Sequence, residues 1–264
     1  MLPWFTAAVC LSLMIASADA AVQSKKVTYK HGTVECHGYL AWDDEQSGPR
    51  PGVLVVHEWW GLDGYAKRRV DELAKLGYVA FAADMYGEGK VVDHPKDAMA
   101  MTGEIRKNVE DWKKRGQEAL DVLKSQPQCD PTKLAAIGYC FGGSTVQQLV
   151  FAGTDLKAVV SFHGGLVTPT AEQVKAIKPA LMICNGADDS FISADAIKAF
   201  RESLDKNGGK YQFLSYEGAR HSFTVREADE TAKKFGLEGL RYNKAADEKS
   251  WSDMRTLFQE TLGK

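Results

Sequence analysis

Leu134 to Gly143 reads LAAIGYCFGG, an apolar run that passes directly into a cysteine set between glycines. Gly138-Tyr139-Cys140-Phe141-Gly142 has the spacing G-x-C-x-G, the nucleophile-elbow pattern G-x-S-x-G with sulfur in place of the hydroxyl oxygen. The pattern has a mechanical cause. A strand turns abruptly into a helix, the central residue sits in a strained backbone with its side chain exposed, and the glycines remove side chains that would collide there. Leu134-Ala135-Ala136-Ile137 reads as a short buried strand, and Ser144 to Ala152 carries apolar positions suited to the following helix.

The same alternation runs along the chain from Gly52 onward. GVLVVHE is a buried strand, GYAKRRVDELAKLG an amphipathic helix closed by Gly77, and YVAFAADMYG the next strand. A polar excursion through Lys90 to Asp97 leads into a long helical region over about Ala98 to Ser125. After the elbow come the strands LKAVVSFHGG and PALMICNGADD, the helix ADAIKAFRESLDKNGG, the strand KYQFLSYEGARHSF and a closing helix, NKAADEKSWSDMRTLFQETL. This order predicts an α/β fold, a mostly parallel central sheet with helices on both faces. The segment before Gly52, including GTVECHGYLAW, reads as an antiparallel edge hairpin.

A chain of 264 residues with 44% hydrophobic residues can build one full core without disulfides or metals, so residues 21–264 are expected to form a single domain. The net charge of -2 and scattered basic residues argue against a nucleic-acid partner. Residues 1–20, MLPWFTAAVCLSLMIASADA, are apolar and end in an A-x-A signal, which reads as a secretory signal peptide cleaved before Ala21 and predicts a secreted or periplasmic protein. An uncleaved anchor is the alternative. After Ala21 no apolar run is long enough to span a bilayer. The cysteines beyond the leader, Cys36, Cys129, Cys140 and Cys184, show no C-x-x-C metal spacing. Cys184 sits in an apolar run and reads as a buried small hydrophobe, while a Cys36 to Cys129 bridge stays open.

Ligand sites of such sheets lie beyond the carboxyl ends of the strands. His57-Glu58, Cys140, His163, Asp188-Asp189 and His221 all fall at or just past predicted strand ends. Nucleophile, acid and histidine follow in the chain order of α/β-hydrolases. A thiol beside an imidazole loses its proton and attacks a carbonyl, while an acid fixes the histidine tautomer and stabilises its charged form. Each residue also has a plainer role: a cysteine in apolar context packs the core, and Asp188 or Asp189 caps the helix that begins near Ser193. His163 reads as a structural hydrogen-bonding residue lining the site, and Trp59 and Trp60 as pocket wall.

Taken together in this order, HEWWGL, DMYG, GYCFGG, GADDSFI and HSF resemble the dienelactone hydrolase (carboxymethylenebutenolidase) family of the α/β-hydrolase fold, from about Val27 to the C-terminus. The resemblance implies a cofactor-free hydrolase of small esters or lactones with Cys140, Asp189 and His221 as a triad. The family's G-x-x-D-x-F pattern falls on Gly186 to Phe191 and selects Asp189. It also implies that Trp59 and Phe141 backbone amides form the oxyanion hole, and that Glu58 approaches the thiol of Cys140 in the resting enzyme. Trp60, Tyr86, Glu88, His163, Phe191, Phe223 and Arg226 are the implied pocket residues. Where the family carries two arginines for a substrate carboxylate, this chain has Glu88 and Val225, with Arg226 one position off. A neutral ester or lactone is therefore expected in place of dienelactone itself. The rival reading is a protein of the same fold that binds a small ligand without turnover or uses Cys140 as a redox-sensing thiol.

Overall fold

The computed structural model describes residues 22–264, so the expected signal peptide and its cleavage point lie outside the described residues. The chain opens with an antiparallel hairpin, β1 (Val22–His31) and β2 (Val34–Asp43), turned at Gly32 with φ +57°. Strand β3 (Arg50–Val56), helix α1 (Gly64–Lys75) and strand β4 (Val79–Ala83) follow. Next come α2 (Pro95–Lys107), α3 (Val109–Lys124), β5 (Cys129–Tyr139), α4 (Phe141–Phe151) and β6 (Ala158–Phe162). The last part holds α5 (Ala171–Ala176), β7 (Ala180–Gly186), α6 (Ala194–Lys206), β8 (Tyr211–Tyr216), α7 (Ala228–Phe235) and α8 (Lys244–Leu262).

The eight strands form one sheet in the order β1-β2-β4-β3-β5-β6-β7-β8. From β4 through β8 every pairing is parallel, and the hairpin joins antiparallel through β2 on β4. Val53, Leu54, Val55 and Val56 are all fully buried, because a strand covered by helices on both faces has no polar side. Alternation sends Val53 and Val55 toward the α1 and α8 layer, with Leu73, Met254 and Phe258. Leu54 and Val56 face the α3 and α4 layer, with Trp112, Leu120 and Leu149. Each such side chain contributes ~1.5–3 kcal/mol by leaving water.

Four details differ from the sequence-based expectation. The long helical region is two helices, broken at Asn108, whose extended backbone (φ -123°) lets its side chain accept from Asp111 N–H at 3.1 Å and start α3 afresh. Strand β5 begins at Cys129 rather than Leu134, because Arg50 and Pro51 pair with Cys129 and Asp130 before a register shift at Pro51/Gly52. Helix α4 begins directly at Phe141. The helix near Ser193 is capped by Ser193 itself, whose hydroxyl accepts from Ala196 N–H at 3.1 Å, so neither Asp188 nor Asp189 serves there.

The four described cysteines are all free. Cys36 on β2 and Cys129 on β5 are three strand spacings apart in the sheet, about 14 Å, beyond the reach of a disulfide. Burial pushes the thiols of Cys36, Cys129 and Cys184 up to about 11, 12 and 12, which withholds the reactive thiolate. Among the described residues no helix is long and apolar enough to cross a membrane, and no cluster of side chains is suited to a metal ion.

Candidate active site

The elbow has the geometry its spacing demands. Cys140 stands between β5 and α4 at φ 52° and ψ -113°, a conformation that costs on the order of 1–3 kcal/mol and lifts its side chain off the sheet. A Cβ at Gly138 would overlap the Gly142 carbonyl, and one at Gly142 would overlap the carbonyl of Val56 on the neighbouring strand, so only glycine allows this close approach. Beneath the turn, Phe141 stacks on Trp112 with ring centroids 5.4 Å apart, and the Trp112 indole N–H donates to Thr145 Oγ1 at 2.8 Å. Cys140 is half-buried, open to a cavity of about 480 Å³.

His221 lies in the loop after β8, pinned on both sides by backbone bonds, His221 N–H to Gly239 O and Arg241 N–H to His221 O, each 3.1 Å. Its Nδ1 donates to Asp189 Oδ2 at 2.8 Å, while Asp189 Oδ1 accepts from Phe191 N–H at 2.9 Å. Both side chains are buried, and Asp188 beside them is exposed. Burial opposes charging of the imidazole, but the Cys140 sulfur and the Asp189 carboxylate outweigh it and hold His221 well above its ordinary range. A sulfur, an imidazole and a carboxylate in this row can transfer a proton from thiol to ring and present a nucleophile to the cavity. Trp59 and Phe141 line the same cavity, and neither backbone N–H has a protein acceptor among the described residues, which leaves both free to meet a developing oxyanion. Tyr86 donates its hydroxyl hydrogen to the Trp59 carbonyl at 2.6 Å and fixes that peptide from behind.

Glu58 is almost fully buried and burial pushes its carboxyl up to about 7, against the opposing pull of His221 and the Ser222 hydroxyl. The expected hydrogen bond to the Cys140 thiol is not formed. Glu58 Oε1 instead accepts from Ser222 Oγ at 2.9 Å and lies 3.8 Å from His163 Nδ1, because the residue after His221 swings its hydroxyl under the carboxyl at φ 54°.

Of the implied pocket residues, Phe191 lines the cavity. His163 and Phe223 line neither cavity and are fully buried with ring centroids 5.3 Å apart, Trp60 faces a separate cavity of about 470 Å³ with Glu58 and Phe235, and Tyr86 packs behind Trp59. Glu88 and Arg226 are exposed and line neither cavity; Glu88 is tied to the hairpin by its N–H to Glu35 O at 2.6 Å. Sequence reading missed the opposite wall, Met99, Thr102 and Arg106 from α2, along with Ile192 and Leu240. Among the described residues, Arg106 is the one basic residue of the cavity lining other than the histidine, and its guanidinium lies 5.6 Å from the Phe141 ring.

The model of the family described as "Dienelactone hydrolase family" matches residues 36–262. "Protein usf" of Aquifex pyrophilus is 30% identical over 243 residues, 89% of this chain and 98% of that protein. The solved structure of a dienelactone hydrolase-like promiscuous phosphotriesterase from metagenomic libraries superposes with a TM-score of 0.87 at 38% identity, covering 91% of this chain and 99% of that one. Pyrococcus horikoshii acylaminoacyl peptidase shares the fold alone, at 15% identity and a TM-score of 0.63 over 84% of this chain and 43% of that one. A mostly parallel sheet with the elbow at the end of β5, and a family match that runs from β2 to the end of α8, place this α/β-hydrolase-fold chain in the dienelactone hydrolase family.

Proposed function

We propose that this member of the family hydrolyses small esters or lactones through a thioester on Cys140. The observation that carries the proposal is His221 held between Asp189 and the Cys140 sulfur at the floor of one cavity. In the proposed cycle, the Cys140 thiolate attacks the substrate carbonyl carbon, and the oxyanion receives hydrogen bonds from the Trp59 and Phe141 N–H groups. Collapse breaks the bond to the leaving oxygen, which takes its proton from the His221 imidazolium. Water then loses a proton to His221, attacks the thioester, and expels the thiolate. Glu58 is proposed to alternate between the Ser222 hydroxyl and the Cys140 thiol, protecting the thiol until substrate arrives.

Arg106 gives the cavity a positive mouth, and Glu88 lies outside it, so the proposal favours acyl groups that carry a carboxylate over neutral ones. Phosphotriesters belong in the same substrate panel, because the structural relative at 38% identity is a promiscuous phosphotriesterase and the same donors can face a phosphoryl oxygen. The test is a screen of esters, lactones and a phosphotriester against wild type and Cys140→Ala, with mass spectrometry of the protein during turnover. A transient acyl adduct on Cys140, absent from the alanine variant along with the activity, supports the mechanism. Residual activity of the variant within tenfold of wild type refutes it, and a stable adduct or an oxidised thiol with no turnover favours ligand binding or redox sensing. Export is proposed as well, and N-terminal sequencing of the mature protein should begin at Ala21.

A further inference from the structure

We propose that His163 is a positioning residue for Glu58: a buried donor chain from Arg69 through Tyr65 and Thr224 fixes the hydrogen of His163 on Nδ1, so that this N–H faces the Glu58 carboxylate and draws it away from the Cys140 thiol. The proposal rests on the reading of Glu58 as a carboxyl that alternates between two partners.

The direction of the chain follows from its one permanent donor. Arg69, paired with Glu72 at 2.8 Å and with Asp247, has no acceptor capacity, so its Nε–H must donate to the Tyr65 oxygen at 3.3 Å. Tyr65 must then place its own hydrogen elsewhere, and its remaining partner is Thr224 Oγ1 at 2.7 Å. Thr224 in turn donates to His163 Nε2 at 2.8 Å. A neutral imidazole that accepts at Nε2 carries its hydrogen on Nδ1. Burial, and the charges of His221 and Arg69, hold His163 well below the ordinary histidine range, so the ring is neutral.

That Nδ1 has no hydrogen-bond partner although the side chain is fully buried, and Glu58 Oε1 lies 3.8 Å away. A shift of about 1 Å would bring the pair to ordinary hydrogen-bond distance, and a buried orphan donor strongly favours such a shift. The other titratable or charged groups acting on Glu58 are His221, Asp63, Arg69 and Tyr65, and Tyr139 packs on the ring of His163. Cys140, His163 and Ser222 supply three of the four positive-φ non-glycine residues among those described, so the strained backbone of the chain is concentrated around this carboxyl. The ionised carboxyl is thus offered Ser222 Oγ–H and His163 Nδ1–H together, and the protonated carboxyl needs neither.

Nitrogen-15 NMR of histidine-labelled wild type at neutral pH should show His163 protonated at Nδ1 and bare at Nε2; an Nε2–H tautomer overturns the relay. Thr224→Val removes one hydroxyl at nearly constant volume and should raise the acid-side midpoint of Cys140 alkylation by about one pH unit, since the Glu58 carboxylate loses its fixed donor. His163→Asn, whose amide nitrogen takes about the place of Nδ1, should restore most of the wild-type profile, where His163→Phe does not. A confirmed Nδ1–H with a Thr224→Val profile identical to wild type overturns the action on Glu58. If Glu58→Gln is equally silent, the failure lies in the reading of Glu58 itself, and the proposal falls with it.

Discussion

Asp189→Asn tests the arrangement most directly, because the structure says what each atom of the new amide would do. Asp189 Oδ1 is held by Phe191 N–H at 2.9 Å, so asparagine keeps its oxygen there and turns its NH2 toward His221 Nδ1, where Oδ2 now accepts at 2.8 Å. Two donors cannot face each other, and the imidazole must move its hydrogen to Nε2, toward the sulfur that the proposed mechanism has it deprotonate. The lost charge-assisted hydrogen bond is worth ~1.5–3 kcal/mol, about one to two powers of ten in rate, and the inverted tautomer adds roughly another. We expect kcat/KM for a small activated ester to fall on the order of 10²–10³-fold. That is less than the roughly 10⁴-fold loss known for serine triads, since a thiol asks less of its base than a hydroxyl. Loss of the carboxylate also removes one of the groups that hold His221 high, so the alkaline limb of the pH profile should move to lower pH. Asp188→Asn, at an exposed position, should stay within about twofold by the same assay. A loss under tenfold at Asp189, or a larger loss at Asp188, would refute the assigned geometry.

Glu58→Gln should change how stability depends on pH. The carboxyl rises from 4.5 to about 7 on folding, so between those values the native state holds the proton that the unfolded chain releases, and stability falls as pH rises through about 7. The shift corresponds to about 3 kcal/mol, and thermal melts at pH 5 and pH 8 should show a smaller drop in the glutamine variant than in wild type; equal drops would contradict a buried, protonated Glu58. Arg106→Gln should narrow any preference for carboxylate-bearing over neutral esters by up to about fivefold, the scale of an exposed ion pair, while Glu88→Arg should leave the ratio of kcat/KM values unchanged. Gly142→Ala should yield insoluble or unfolded protein, since its Cβ would run into the Val56 carbonyl of the adjacent strand; a folded, active variant would show that the elbow tolerates a shift.

What the sequence made legible was whatever depends on local order. Val53 to Val56 announce a buried strand because four consecutive apolar residues have no solvent face, and G-x-C-x-G announces the elbow because only glycine fits against Gly142 and Val56. Asp189 was separable from Asp188 only through the family pattern, since two adjacent acids look alike until one is seen to face His221. The break at Asn108 was hidden because the apolar spacing of α2 resumes in α3, and a single capping side chain decides where one helix ends. The partner of Glu58 was hidden for another reason. Whether that carboxyl meets Cys140 or Ser222 depends on backbone twists at Cys140, His163 and Ser222, none of which composition encodes.

The charge at the cavity mouth sits on α2 as Arg106, away from the sequence motifs that Glu88 adjoins. Glu88 follows DMYG in sequence, yet the chain there turns back onto the hairpin and carries the side chain away from the thiol. The cavity is closed by α2 instead, and the signal was present in its periodicity. Ala98, Thr102 and Ile105 bury one side of the helix, while Met99, Thr102 and Arg106, spaced three and four apart, form the adjoining stripe that faces the cavity. A helix outside the proposed triad can therefore set the charge and width of the cavity in which the proposed substrate would sit. Substitutions along that stripe leave the elbow, His221 and Asp189 in place, so under the proposed mechanism their effects should fall on which ester is chosen before they fall on how fast the bond is broken.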